Sequence, residues 1–463
     1  LGLTTWLAAI ALLPGCSCGS APCGDTECLP GEVANGGLGR WTSIAGDDGR
    51  VLVATYDQGL GDLVAIDVTD PAARTHVVVD GVPDGTPIYD PSGYRGGIED
   101  EGDNVGAWTS IAMAGGKGMI AYQDRDAGAL KFALETKPGQ WRTMVVDDGA
   151  GVEVGRYASL AIDREGFPVI AYVALGIDDG MGQRVTELRV VRANAKEPQG
   201  SAAWRTPTVV AVAAGTCGGL CGAGEACIAG ALGETCVAKT SDCTAACGTG
   251  EACVAGTCTE ELAAAKVANI GSGTGLFAAL VVLSDNRLAV TYYDQAARAL
   301  EIAVETAANA NDYTKTPLHA GASGDRGLWA SAVVDATDTV HVAYQDAIGD
   351  QLMYTTWAGA AGVPEVVDDG QRAGDRTHPV GAATAIYLAS GTPMIAYQDG
   401  MTADVYVAAK SGAAWTTMPI TSGPLLDGFS IGVTTAHGGV PYLAWSTLDP
   451  TQTPLGTVSV ETP

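Results

Sequence analysis

The sequence predicts an all-β chain, folded as a seven-bladed β-propeller of four-stranded blades with a small disulfide-rich insert. Three observations predict it: a unit that recurs about every fifty residues, strand periodicity inside each unit, and eight cysteines crowded between 217 and 258. The unit opens on an aromatic followed by small residues: Trp41-Thr-Ser-Ile, Trp108-Thr-Ser-Ile, Tyr157-Ala-Ser-Leu, Phe277-Ala-Ala-Leu, Trp329-Ala-Ser-Ala, a degenerate Gly381-Ala-Ala-Thr, and Phe429-Ser-Ile-Gly. A second apolar run ends at Tyr56, Tyr122, Tyr172, Tyr292, Tyr344, Tyr397 and Trp445. Four of the six intervals between these positions are 50, 52, 53 and 48 residues, and insertions explain the two longer ones. That period belongs to propellers or solenoids.

Each element follows from its own pattern. Met119-Ile-Ala-Tyr122 and Val169-Ile-Ala-Tyr172 are continuous apolar runs, as strands buried on both faces should be. Ala129-Leu-Lys-Phe-Ala-Leu-Glu135 alternates, as a half-exposed strand does. Asp-Gly and Gly-Gly pairs between the runs supply turns. The last unit stops after its third strand, so the segment around 28–37 is expected to add the missing outer strand and close the ring.

Composition narrows the function. Of 463 residues, 25 are Lys or Arg and 53 are Asp or Glu, for a net charge of −28. Such a surface repels phosphate backbones and anionic lipid, so nucleic acid is excluded as a partner and charge-driven membrane docking is not expected. With 47% apolar residues the chain can bury a core.

The ends and the insert point to export. Residues 1–15 read as a signal peptide, too short in its apolar run to span a bilayer. Leu-Pro-Gly-Cys at 13–16 resembles a lipoprotein signal, which would lipidate Cys16 and hold the protein at an outer membrane or cell surface; a plain periplasmic or secreted product is the alternative. A Cys-rich linker follows at 16–29, then blades 1–3 over 30–215, the insert over 216–260, and blades 4–7 over 261–463. The insert repeats one spacing: Cys217, Cys221, Cys227 and Cys236, then Cys243, Cys247, Cys253 and Cys258. Four-thiolate zinc sites can have this count, but in an exported chain the pattern reads as disulfides of undetermined pairing. An Ala-rich stretch at 261–268 is expected to form a short helix.

Functional residues are harder to single out. The Asp of the Tyr-x-Asp motif (Asp124, Asp346, Asp399, with Asp57 and Asp294 nearby) repeats too often for a catalyst and reads as a turn residue. Trp141, Trp204 and Trp415 open outer strands and are expected to pack between blades. Trp41, Trp108, Tyr157, Phe277, Trp329 and Phe429 open innermost strands near the axial mouth, with Trp41, Trp108, Tyr157 and Trp329 as the candidate ligand-binding rings, and Arg40, Arg156, Arg326 and Arg376 precede innermost strands there. Aromatic faces beside polar groups suit sugars. Loop 81–106 is acidic, and Asp100, Glu101 and Asp103 are its candidate metal ligands; Ca²⁺ is the one cofactor considered. No nucleophile, acid–base carboxylate pair or phosphate-binding loop can be assigned, so the catalytic set is empty.

The unit Gly-x-Trp-Thr-Ser-Ile-Ala…Ile-Ala-Tyr-Gln-Asp…Gly-Ala-Leu-Lys-Phe-Ala…Trp…Val-Val-Asp-Asp-Gly resembles bacterial secreted repeat propellers of sialidase-like architecture. The cysteine modules resemble small disulfide repeats of myxobacterial-type secreted proteins. This resemblance implies the fold and leaves function open. The expected function is a monomeric, non-enzymatic binding propeller for glycans or a surface protein. The alternative is a glycoside-cleaving enzyme whose arginines converge on the mouth.

Overall fold

The structure is a computed structural model and describes residues 37–70, 73–83, 88–90, 95, 98, 100–178, 184–214, 224–230, 233–261, 273–320, 324–452 and 456–462. Seven antiparallel sheets follow one another along the chain, each strand paired with its sequence neighbours. The first strands of blades 1–7 are Arg40–Gly46, Val105–Ala114, Glu153–Ile162, Thr274–Val282, Arg326–Val334, Val380–Ala389 and Leu426–Ala436. Blades 2–6 have four strands, blade 1 adds a short fifth strand at Ile88–Asp90, and blade 7 has three among the described residues. The predicted seven-bladed architecture holds.

The motif Tyr-Gln-Asp explains how blades join, because each of its three residues bonds in a different direction. In blade 2, the Tyr122 hydroxyl reaches back to Asp80 at the end of blade 1 (2.6 Å). Gln123 reaches forward to the Val154 carbonyl of blade 3 (3.0 Å), and Asp124 accepts from the Ala127 amide in its own turn (2.9 Å). Blade 6 repeats this with Tyr397 to Asp368, Gln398 to the Asp427 carbonyl and Asp399 to the Met401 amide. In blade 5 Tyr344 meets His319 and Gln345 meets the Val380 carbonyl. His319 is held down to about 4 by burial, with Arg326 adding to the effect, so at neutral pH its ring is uncharged and its Nδ1 can accept a hydrogen bond from the phenol. The turn reading of these aspartates is thereby confirmed in geometry, as is that of Asp57 and Asp294.

Three repeat alignments are corrected by register. In blade 6, Ala382 pairs with Gln398 as Ala107 pairs with Gln123, so Ala383, not Gly381, stands where Trp108 does. Ala54 pairs with Ser43 as Ala121 pairs with Ser110, which puts Thr55, not Tyr56, at the Tyr122 position. Phe429 pairs with Ser446 as Ala107 pairs with Gln123, so Ser430 stands where Trp108 does. Each of these first strands carries two irregularities of the bulge type or one, and an extra residue at a bulge hides the true phase from a sequence alignment.

The small residues after each aromatic bind neighbouring first strands to one another. Ser110, Ser159 and Ser331 accept from the amides of Leu160, Leu280 and Ile386 in the next blade. The ring closes in the same way: Ser430 and Thr434 of blade 7 accept from the amides of Trp41 and Gly46 of blade 1. Most of the proposed closing segment, 28–36, lies outside the described residues. Just after it, the Leu38 amide donates to the Gly456 carbonyl at the start of the last strand (3.1 Å).

The outer tryptophans pack as expected, each against the preceding blade. Trp141 sits in one apolar cluster with Leu52 and Val77 of blade 1. Trp204 meets Phe132 edge-on at 5.0 Å, and Trp415 meets Tyr354 at 5.1 Å. Trp204 bridges to Ala193 ahead of the strand Thr208–Ala214 instead of opening it.

Within the insert, the hairpins Glu225–Gly230/Gly233–Ala238 and Glu251–Val254/Thr257–Glu260 follow the two cysteine copies. The second copy is joined Cys243–Cys253 and Cys247–Cys258, first to third and second to fourth. Cys227 is disulfide-bonded too, and Cys236 stands opposite it in the ladder of the first hairpin. The thiol clusters that zinc would need in the second copy are thus consumed in covalent bonds. The signal region, Cys16, Cys217, Cys221 and the stretch 262–268 lie outside the described residues. No helix among the described residues is long and apolar enough to cross a membrane.

One loop between blades is fastened by a histidine. His378 Nδ1 lies 2.7 Å from Asp399 and its Nε2 lies 3.4 Å from Asp375, while Arg372 bridges Asp368 and Asp399. The Asp399 carboxylate raises the His378 pKa above its ordinary value, despite burial and the nearby Arg372. A raised folded-state value contributes stability that is complete below the unfolded value and is lost as pH rises through the folded one. Thermal melts from about pH 5 to about pH 9 should therefore show wild type losing its advantage over His378→Gln as pH rises past roughly 6.5. A constant difference across that range contradicts the assignment.

Candidate ligand-binding site

The aromatics that open the first strands form one continuous arc. Ring centroids are separated by 5.2 Å for Trp41–Trp108, 4.1 Å for Trp108–Tyr157, 5.0 Å for Tyr157–Phe277 and 4.9 Å for Phe277–Trp329. Local backbone geometry creates the arc. Each ring sits on a residue with φ between 51° and 55°, in the left-handed region, and Ala383 and Ser430 keep the same conformation in blades 6 and 7. Two residues earlier a glycine also has positive φ in all seven blades, from Gly39 to Gly428. At Gly106 a Cβ would come within 2.8 Å of the Leu63 Cα of the preceding blade, so glycine is what lets the strand approach. The glycine is visible in the sequence unit; the positive φ of the aromatic is not.

The arc spans blades 1–5 and stops where Ala383 and Ser430 replace rings. Trp41, Trp108, Tyr157 and Phe277 are half-buried, while Trp329, at the end of the arc, is 39% exposed. Trp329 touches one ring of the arc; each interior ring touches two. Burial raises the Tyr157 pKa against the opposing charge of Arg156, so its hydroxyl stays protonated at neutral pH. Tilted ring pairs of this kind each contribute about 0.5–1.5 kcal/mol beyond burial, so the arc also stiffens the mouth of the ring.

The four candidate arginines are engaged separately. Arg40 stacks over Trp41, with its guanidinium carbon 4.3 Å from the ring centroid. Arg156 is bonded to Glu153 (2.6 Å) and Arg326 to Asp346 (3.0 Å). Arg376 is exposed in the loop before the first strand of blade 6. The structure therefore brings Trp41, Trp108, Tyr157 and Trp329 together through Phe277, and ties one arginine, Arg40, to them.

In the acidic loop, Asp100, Glu101 and Asp103 are exposed, and among the described residues their carboxylates join no three-ligand cluster. The residue that organises this loop is Arg95. It is fully buried, pairs with Asp62 at 2.7 Å, and donates to the carbonyls of Ile98 and Asp100. Its place among acids in the sequence gave no sign of that burial.

No family model matches the chain, and neither does any curated protein. Among solved structures, AofleA from Arthrobotrys oligospora is 14% identical over 76% of this chain and 82% of its own, with a TM-score of 0.40. The α-L-arabinofuranosidase Arb93A from Fusarium graminearum is 9% identical over 77% and 93%, with a TM-score of 0.42. The Aleuria aurantia lectin AAL, solved as a point mutant in complex with Fucα1-6GlcNAc, is 12% identical over 76% and 95%, with a TM-score of 0.36.

Proposed function

We propose that the protein is an exported binding propeller that recognises a glycan at the aromatic arc, without turning it over. The observation that carries this reading is the arc itself, with Trp329 exposed at the end where the rings stop. The C–H face of a sugar ring stacks on an aromatic face, while its hydroxyls take hydrogen bonds from a few polar groups nearby. Arg40, stacked on Trp41, is such a group. The insert's disulfides favour an oxidising compartment, and attachment through a lipid on Cys16 would hold the ring at a cell surface.

A glycan array probed with labelled wild type and with Trp329→Ala tests this directly. Trp329 meets one ring of the arc, so the variant should fold, and bound spots should disappear with it. Equal binding by both proteins contradicts the site. Release of sugar from a bound glycoside would assign an enzyme in its place.

A further inference from the structure

The gap where the arc stops also has an aromatic on its far side. Register puts the residue just before each ring position in one equivalent place: Leu276 pairs with Tyr293, Leu328 with Gln345, Ala382 with Gln398 and Phe429 with Ser446. Side chains in this place lean on the preceding blade. Leu276 of blade 4 shares an apolar cluster with Val173 and Tyr157 of blade 3, and the same cluster takes in Leu328 of blade 5 with Tyr293 and Phe277 of blade 4. Leu276 is accordingly 6% exposed.

Blade 6 departs from this pattern twice. Ala382 is too short to cover the ring of blade 5 as Leu328 covers Phe277, which leaves Trp329 bare on that side. The ring position itself is Ala383, so Phe429 of blade 7 has no ring of the preceding blade to rest on and is 38% exposed. Trp329 and Phe429 thus flank blade 6, and among the described residues no ring contact joins them. Neighbouring rings of the arc lie 4.1–5.2 Å apart, and between these two one ring is missing. Arg40 holds the equivalent place in blade 1, next around the ring from Phe429, and pairs with no carboxylate among the described residues.

We propose that one pyranose ring of the glycan inserts over blade 6, stacked on one face by Trp329 and on the other by Phe429, and that this selects sugars whose ring hydroxyls are all equatorial. The inference rests on the reading of the arc as a glycan site and adds its specificity. With equatorial hydroxyls both faces of a pyranose present C–H groups to an aromatic, and the hydroxyls point outward, where Arg40 can donate to one. An axial hydroxyl turns a polar group onto one face, where a stacked ring leaves it without a partner. Glucose and xylose chains meet this requirement; galactose and mannose, each with one axial hydroxyl, do not.

The probes are cellotetraose, xylotetraose, mannotetraose and a galactotetraose, all β-linked and titrated calorimetrically. Cellotetraose or xylotetraose should bind wild type, and the mannose and galactose chains about ten-fold more weakly or not at all. Phe429→Ala removes an exposed side chain and should weaken the bound sugar roughly ten-fold with an unchanged melting temperature. Ala382→Leu, which copies the residue of blade 5 at this place, should cover Trp329 and weaken binding as much in an equally stable fold. Full binding by Phe429→Ala and Ala382→Leu, or a preference for the mannose or galactose chain, overturns the two-sided stack; if Trp329→Ala still abolishes binding, the arc reading stands without it. Binding by none of the four probes also overturns the stack, and the arc reading falls with it if the glycan array is blank too.

Discussion

Gly106→Val should cost roughly 3–5 kcal/mol of stability in urea unfolding, the largest loss expected from any single substitution considered. Two effects combine. The residue has φ +99°, which a β-branched side chain tolerates poorly, and its Cβ would meet the Leu63 Cα at 2.8 Å. The obstacle is backbone of the neighbouring blade, so no rotamer change relieves it. Gly116→Ala supplies the control: φ is +76°, but nothing lies within 4 Å, so only conformational strain of about 1 kcal/mol is expected. Similar losses in the two variants would mean that blade approach is not what the glycine secures.

The second large effect is expected at Asp80. This carboxylate accepts from the fully buried Tyr122 hydroxyl and pairs with Lys131 at 2.5 Å. Burial pushes the Tyr122 hydroxyl well above its ordinary range, with Asp80 adding to it, so the phenol is always a donor here. Asp80→Ala strands that donor and leaves Lys131 with Asp124 at 3.7 Å, for a loss of about 3–4 kcal/mol. Asp80→Asn keeps an acceptor for Tyr122 and should lose less. Combining Asp80→Ala with Tyr122→Phe should cost less than the two single losses added, because the shared bond is counted once. Strict additivity would show that this contact does not couple blades 1 and 2.

The sequence revealed the repeat, the strands and the local role of the aspartates because each depends on residues close together in the chain. The direction in which Tyr122 and Gln123 reach was not legible, since their partners lie 42 and 31 residues away in different blades. The phase of Ser430 and Thr55 was hidden by bulges, which break the two-residue alternation used to align strands. At the mouth, the aromatics could be found because they repeat. The arginines could not be placed in the same way: Arg156 and Arg326 lie within first strands instead of ahead of them, and each is held by a carboxylate.

Whether the aromatic arc binds glycans is decided by the affinity of the strongest array ligand for wild type and for Trp329→Ala. Loss of a stacking ring should raise the dissociation constant about ten-fold or more, with an unchanged melting temperature. Equal affinity in the two folded proteins would contradict glycan binding there.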